Sequence, residues 1–192
     1  MKKFFHGTMN ASKSAQLLMQ AYNFERQGKT YLIFKPKSDS RDGEYVKSRA
    51  VSAKRLSIQV DRHQQGFMYG LALEHEPSFI FVDELQFFTA KQIEELADIT
   101  IGLNIPIFAY GLLLSYTGEL FEGSKRAIEC GFTLHELKMQ CDDCHEKSTH
   151  HLLYLDGELM KAGDGFHVGD TEYKSVCYAC YQYTMLSDDL DK

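Results

Sequence analysis

The stretch Phe4-Phe5-His6-Gly7-Thr8-Met9-Asn10-Ala11-Ser12-Lys13-Ser14 decides how the chain is read. It combines a short apolar strand, a loop of small residues, and Lys-Ser opening an amphipathic helix. The spacing nearly fits the phosphate-loop pattern G-x-x-x-x-G-K-[ST], with Ser12 where a second glycine belongs. In such a loop, backbone N–H groups wrap phosphate oxygens and the helix N-terminus adds its positive dipole end. Lys13 would bring a mobile cation to the β- and γ-phosphates, and the Ser14 hydroxyl a ligand for Mg²⁺. The plainer alternative is a helix N-cap, a role for which Ser12 is well suited. A left-handed backbone at Ser12 would cost roughly 1–2 kcal/mol.

Working outward, apolar residues at Leu17, Leu18, Ala21 and Tyr22 recur at helical spacing, and Gly28 is placed to end that helix. Thr30-Tyr31-Leu32-Ile33-Phe34 reads as a buried strand. Strand, loop, helix and strand open a parallel α/β unit, the setting a phosphate loop requires. Residues 35–49 are polar and charged, and their composition predicts a surface loop whose arginines are solvated. Leu56 to Val60 alternates like a further strand, and a helix weakened by Gly66 and Gly70 is expected after Arg62.

Ser78-Phe79-Ile80-Phe81-Val82 is another buried strand, and it runs straight into Asp83-Glu84. Carboxylates at the C-terminal end of such a strand face the phosphate loop in parallel sheets. Asp83 would hold Mg²⁺, leaving Glu84 to accept a proton from an attacking hydroxyl. Taken alone, the pair could merely begin a loop; Lys13-Ser14 upstream tips the reading to chemistry. A helix follows from Thr89, then the strand Ile105 to Tyr110, the apolar loop Gly111 to Gly118, a short helix and a last strand ending at Leu137. The apolar loop is either buried packing or the wall of a ligand pocket.

The tail changes character at Cys141-Asp142-Asp143-Cys144, answered by Cys177-Tyr178-Ala179-Cys180. Two such knuckles read as a structural Cys₄ site, with Zn²⁺ favoured, although iron fits the same ligands. His145, His150 and His151 compete as ligands, but four thiolates already complete the shell. Cys130 fits a buried small hydrophobe better than a ligand.

Composition narrows the classes. With 192 residues, 44% hydrophobic and 25% charged, the chain suits one α/β core and a small appendage. The net charge of −6 advertises no nucleic-acid partner. Neither a signal peptide nor a membrane span is recognisable, and cysteines arranged for metal suit a reducing compartment, so a cytoplasmic location is expected.

Three features, the loop 7–14, Asp83-Glu84-Leu85-Gln86-Phe87-Phe88, and the closing Val176-Cys177 to Tyr181, together resemble the cytosolic, zinc-containing, tetrameric thymidine kinases. The resemblance runs from about residue 3 to 183, and Asp39-Ser40-Arg41 resembles the family's D-x-R. It implies a parallel-sheet, RecA-like core over 1–138 and a zinc-knuckle lasso over 139–192. It further implies ATP with Mg²⁺, structural Zn²⁺ and thymidine as substrate, in a homotetramer. Glu84 would be the base, with Lys13 and Arg41 completing the catalytic set. Gly7, Thr8, Met9, Asn10, Ala11, Ser12, Lys13, Ser14, Asp83 and Gln86 would line the nucleotide side. Met9, Phe87, Leu112, Tyr116, Phe121, Val168, Gly169 and Tyr173 would line the nucleoside side.

The chain also departs from that family. Beyond Ser12, it has Leu113, Leu114 and Ser115 where bacterial relatives carry Arg, Thr and Asp, and Thr117 where they carry a further Arg. The lasso's double glycine is Gly169-Asp170 here. Three adjacent leucines, counting Leu112, should not all face water, so at least two are expected to be buried, against the lasso or a neighbouring subunit. Two further readings follow: a nucleotide-binding regulatory or DNA-associated zinc-ribbon protein, and a nucleoside-binding kinase with decayed turnover.

Overall fold

The computed structural model describes residues 1–40, 43–163 and 172–187. Six strands form one parallel sheet, β1 (Lys2–His6), β2 (Tyr31–Pro36), β5 (Ile58–Val60), β6 (Phe79–Val82), β7 (Ile107–Gly111) and β8 (Thr133–Glu136), in the order β5-β2-β6-β7-β1-β8. Successive residues point to opposite faces, and both faces are covered. Ile80, Val82, Ile107 and Ala109 pack on one side, toward α2 (Phe67–His75), α3 (Ala90–Gly102) and α4 (Glu122–Glu129). Phe81, Phe108 and Tyr110 pack on the other, under Leu17, Leu18 and Ala21 of α1 (Lys13–Arg26). Burial on both faces is why the strands read as unbroken apolar runs.

The register sets the height of everything at the C-terminal edge. Ala109 of β7 pairs with Phe4 on one side and with Val82 on the other. Phe4 and Val82 are therefore level, two strand spacings apart, about 9–10 Å. β1 runs two residues further than β6, to His6 opposite Gly111, so Asp83-Glu84 leave β6 beside the last residues of β1, just short of where the phosphate loop begins.

Residues 35–40 and 43–49 are only in part the exposed loop that composition predicts: Arg49 and most of the segment are exposed, but Lys35, Asp39 and Val46 are buried. Val46, within β3 (Tyr45–Lys47), is 1% exposed and packs in the α1 layer; β3 pairs antiparallel with β4 (Lys54–Leu56). Lys35 and Asp39 are buried as an ion pair at 3.2 Å, and Lys35 Nζ also reaches the Gly43 and Tyr45 carbonyls. Charge that pairs internally is invisible to composition. Likewise the alternating run 56–60 splits at Ser57, whose N–H and Oγ both donate to the Glu44 carbonyl.

Beyond Leu137 the chain builds a three-stranded antiparallel sheet, β10-β9-β11, from β9 (His150–Leu155), β10 (Glu158–Leu159) and β11 (Glu172–Val176). Asp156 and Gly157, both at positive φ, make the two-residue turn between β9 and β10. A last helix, α5 (Tyr178–Ser187), seats Tyr181 with Cys141, Leu152, Val176 and Cys177 in a core of its own.

Two substitutions test the scaffold. A Cβ on Gly123 of α4 would meet the Leu85, Phe88 and Gln86 carbonyls at 2.5, 2.8 and 3.1 Å. Gly123→Ala should cost about 1–3 kcal/mol by overpacking. At about 2–4 °C per kcal/mol, a melting temperature unchanged within 1 °C would refute that close approach. Ser12 is the N-cap of α1 by position, but at φ 57, ψ 26 it makes no side-chain cap bond. Ser12→Gly should relieve roughly 1–2 kcal/mol of left-handed strain while adding about 0.4–1 kcal/mol of unfolded-state freedom. The expected result is a small gain in melting temperature; a loss would show that the serine hydroxyl contributes.

Candidate active site

The phosphate loop closes on itself and on the small sheet. Lys13 Nζ donates to the Thr8 carbonyl at 2.7 Å and to the Gly7 carbonyl at 3.3 Å, so the ammonium lies across the loop mouth. Gly7 must be glycine, because a Cβ there would come within 2.6 Å of the Leu137 carbonyl oxygen. Asn10 and Ser12 both adopt positive φ, which curls the loop over the start of α1. An open cavity of about 610 Å³ lies against Asn10, Ala11, Ser12 and Gln16 on one side and Glu136 to Met139 on the other.

At the end of β6, Asp83 is buried and Glu84 half-buried. Burial pushes the Asp83 carboxyl up to about 7, with the Glu84 and Asp39 charges adding to it and Lys35 opposing. A buried carboxylate short of positive charge, at the strand end beside β1 and its loop, fits a divalent cation. Glu84 stands at φ 51 and leads into a 3₁₀ turn, Leu85–Phe87. Gln86 Nε2 donates to Glu84 Oε2 at 2.7 Å, and Gln86 Oε1 accepts from Leu112 N–H at 2.9 Å. The Gln86 amide therefore braces Glu84 against the loop after β7. Gly111 leaves the space, since a Cβ there would collide with Gln86 Oε1.

The expected nucleoside-side residues fall into two groups. Phe87 and Phe121 meet edge to face at 5.7 Å, beside the 3₁₀ turn. Leu112 is fixed by its N–H bond to Gln86 and by Ser124 Oγ donating to its carbonyl at 2.5 Å. Tyr116 is buried; its hydroxyl donates to the Ala162 carbonyl at 3.3 Å, and its own carbonyl accepts from Tyr181 at 3.0 Å. Tyr173 stands edge-on to His151 at 6.5 Å. Val168, Gly169 and Asp170 of the lasso, together with Arg41, lie outside the described residues. Leu112, Leu113 and Leu114 are each half-buried, with Leu113 against the main core; the lasso residues expected to cover them lie outside the described residues. Ser115 and Tyr116 of that loop are buried, and Ser115 Oγ pairs with Thr117 Oγ1 at 2.7 Å.

Sequence reading missed a set of polar side chains that reach the phosphate loop from the small sheet. His151 Nε2 accepts from Met9 N–H at 2.9 Å, Ser175 Oγ donates to the Met9 carbonyl at 3.1 Å, and Thr8 Oγ1 pairs with Ser148 Oγ at 2.8 Å. Nothing local in the sequence signals bonds spanning 140 to 166 residues.

The four cysteine sulfurs of Cys141, Cys144, Cys177 and Cys180 lie within 4.8 Å of one another, and none is in a disulfide. Cys144 and Cys177 sulfurs are 3.7 Å apart, close to the edge of a tetrahedron with metal–sulfur distances of about 2.3 Å. Asp143 N–H points to Cys141 Sγ and Cys180 N–H to Cys177 Sγ, both at 3.4 Å, as thiolate ligands require. The donor set fits zinc. Among the described residues no helix is long and apolar enough to cross a membrane.

Residues 2–181 match the family described as Thymidine kinase. A thymidine kinase of Streptococcus pyogenes serotype M3 is 33% identical over 177 residues, spanning 92% of this chain and 94% of that protein. The thymidine kinase of Lactococcus lactis subsp. lactis is 32% identical over 93% of this chain and 95% of its own. That of Enterococcus faecalis is 35% identical, covering 93% and 92% respectively. With the loop at Lys13-Ser14, the carboxylates at Asp83-Glu84 and the four-cysteine cluster in one fold, this chain belongs to the thymidine kinase family.

Proposed function

We propose that the chain transfers the γ-phosphoryl group of ATP to the 5′-hydroxyl of thymidine. The observation that carries this reading is Glu84, braced by Gln86 and set beside the end of β1 and its loop by the shared register on β7. A carboxylate so placed accepts the hydroxyl proton as the oxygen attacks phosphorus. Lys13 trades its carbonyl partners for phosphate oxygens, and the loop N–H groups hold the chain of phosphates in line. Asp83 and Ser14 are the residues that would hold Mg²⁺. When bound, that ion neutralises charge on the β- and γ-phosphates. Arg41 steadies charge on the transferring group in this scheme.

Phe87, Phe121, Leu112, Tyr116 and the Met9 side chain form the thymine pocket in this reading, with residues near Val168 and Gly169 reading the base edge. The zinc-bearing segment, from about residue 139, acts as a lasso pinned at its base by Cys141, Cys144, Cys177 and Cys180. We place the enzyme in the cytoplasm as a homotetramer.

Incubating purified protein with ATP, Mg²⁺ and each deoxynucleoside tests the reaction directly. Phosphorylation of thymidine is expected; phosphorylation of none would overturn the reading. Glu84→Gln should lower kcat by about 10²–10⁴ with KM for both substrates little changed. Near-parental turnover in that variant would exclude Glu84 as the base. Elemental analysis should return one zinc per chain. Stripping it with chelator should weaken thymidine binding before the α/β core unfolds, read by calorimetry and far-UV circular dichroism. Loss of the whole fold together with the metal would show instead that the site holds up the core.

A further inference from the structure

The phosphate loop is gripped from outside its own α/β unit. Met9 sits at the loop's crest, and both of its backbone polar groups are engaged by the small antiparallel sheet. Its N–H is donated to His151 Nε2 of β9, and its carbonyl accepts from Ser175 Oγ of β11. These two residues are direct partners in the β9–β11 ladder, so they approach Met9 as one rung. One residue earlier, Thr8 Oγ1 meets Ser148 Oγ. Ser148 donates its own proton to the Met139 carbonyl at 3.0 Å, which leaves Thr8 as the donor. His151 and Ser175 are 3% and 1% exposed, so water does not compete for these bonds.

We propose that His151 is a positioning residue for ATP: through Met9 it fixes the curvature of the phosphate loop, which makes nucleotide binding depend on the small sheet. The inference rests on the nucleotide reading of the loop given above.

Accepting from Met9 N–H requires an unprotonated Nε2, so the imidazole is neutral with its proton on Nδ1. The surroundings agree. Burial pushes the His151 pKa down to about 3, the Lys13 and His150 charges add to this, and a backbone interaction with Leu114 opposes it. The same ring meets Tyr173 edge to face. His151 therefore offers an acceptor toward the loop, a polar contact with the Leu114 backbone and an aromatic face toward Tyr173, and substitution separates the polar part from the ring.

His151→Phe keeps the ring and removes the acceptor; His151→Gln keeps an acceptor and removes the ring. Stranding a buried N–H donor weakens ATP binding by about tenfold in the Phe variant. Calorimetry with ATP and with thymidine separately, alongside both KM values, reads the difference. The expected result is ATP affinity reduced by about tenfold in His151→Phe, restored to within about threefold in His151→Gln, and thymidine affinity held within about threefold in the Phe variant. Unchanged ATP affinity in a folded Phe variant overturns the proposal, as does an equal loss for both ligands. A drop in melting temperature with ATP affinity intact overturns it too, assigning His151 to packing alone. Should the Phe variant not fold, Ser175→Ala releases the Met9 carbonyl and is expected to weaken ATP in the same selective way; intact ATP binding there overturns the proposal. A wild type that binds thymidine but not ATP refutes the nucleotide reading itself. A wild type that binds both, with variants that bind both equally, refutes only the role of His151.

Discussion

The pairing of β1 and β6 on the two sides of β7 is the constraint on which the site depends. Parallel strands exchange evenly spaced hydrogen bonds, and a slip by one residue would turn every side chain to the opposite face. Here that slip would exchange Ile80 and Val82 with Phe81, and each layer is filled to its own shape. Close packing on both faces thus locks the register, and the register brings a basic loop and an acidic pair to one edge of the sheet. The chemistry needs no flexible reach, because the sheet has already solved the alignment.

What lies above that edge breaks local rules. Asn10, Ser12 and Glu84 all hold positive φ without being glycine. Such backbone persists only where its surroundings over-determine it. The surroundings are on view for two segments: the Gln86 amide behind Glu84, and the rung of His151 and Ser175 over Met9. Three of the six non-glycine positive-φ residues among those described lie at this edge, while helices such as α3 follow ordinary rules, with Thr89 and Gln92 forming a reciprocal capping box.

The strands and the metal cluster were legible because their signals are local. Phe79 to Val82 announces a doubly buried strand by composition, and two Cys-x-x-Cys pairs announce their own coordination. Legibility failed where a side chain's meaning depends on a distant partner. Lys35 and Asp39 read as solvated charge until their burial as a pair is seen. Gln86 sits in the strand-end element expected to face the nucleotide, yet its amide is engaged within the protein. His151 read as a surplus metal ligand, although its ring faces the phosphate loop from 142 residues away. The helix after Cys180 went unread because apolar and polar residues alternate around it without a clear stripe, Tyr181 alone being buried among its described residues.

β1, one strand in from the edge of the sheet, precedes in sequence both strands it pairs with. Its two neighbours arrive only with Ile107–Gly111 and Thr133–Glu136. Contacts of such long sequence separation close late and slow folding, because loop-closure entropy is met before they reward it. During translation β1 therefore waits with both edges unpaired until most of the chain has emerged, a period in which apolar Phe4 and Phe5 are open to misassociation. Lys2 and Lys3, at the start of the same strand, place like charge on that segment, a feature that opposes edge-to-edge pairing of two copies.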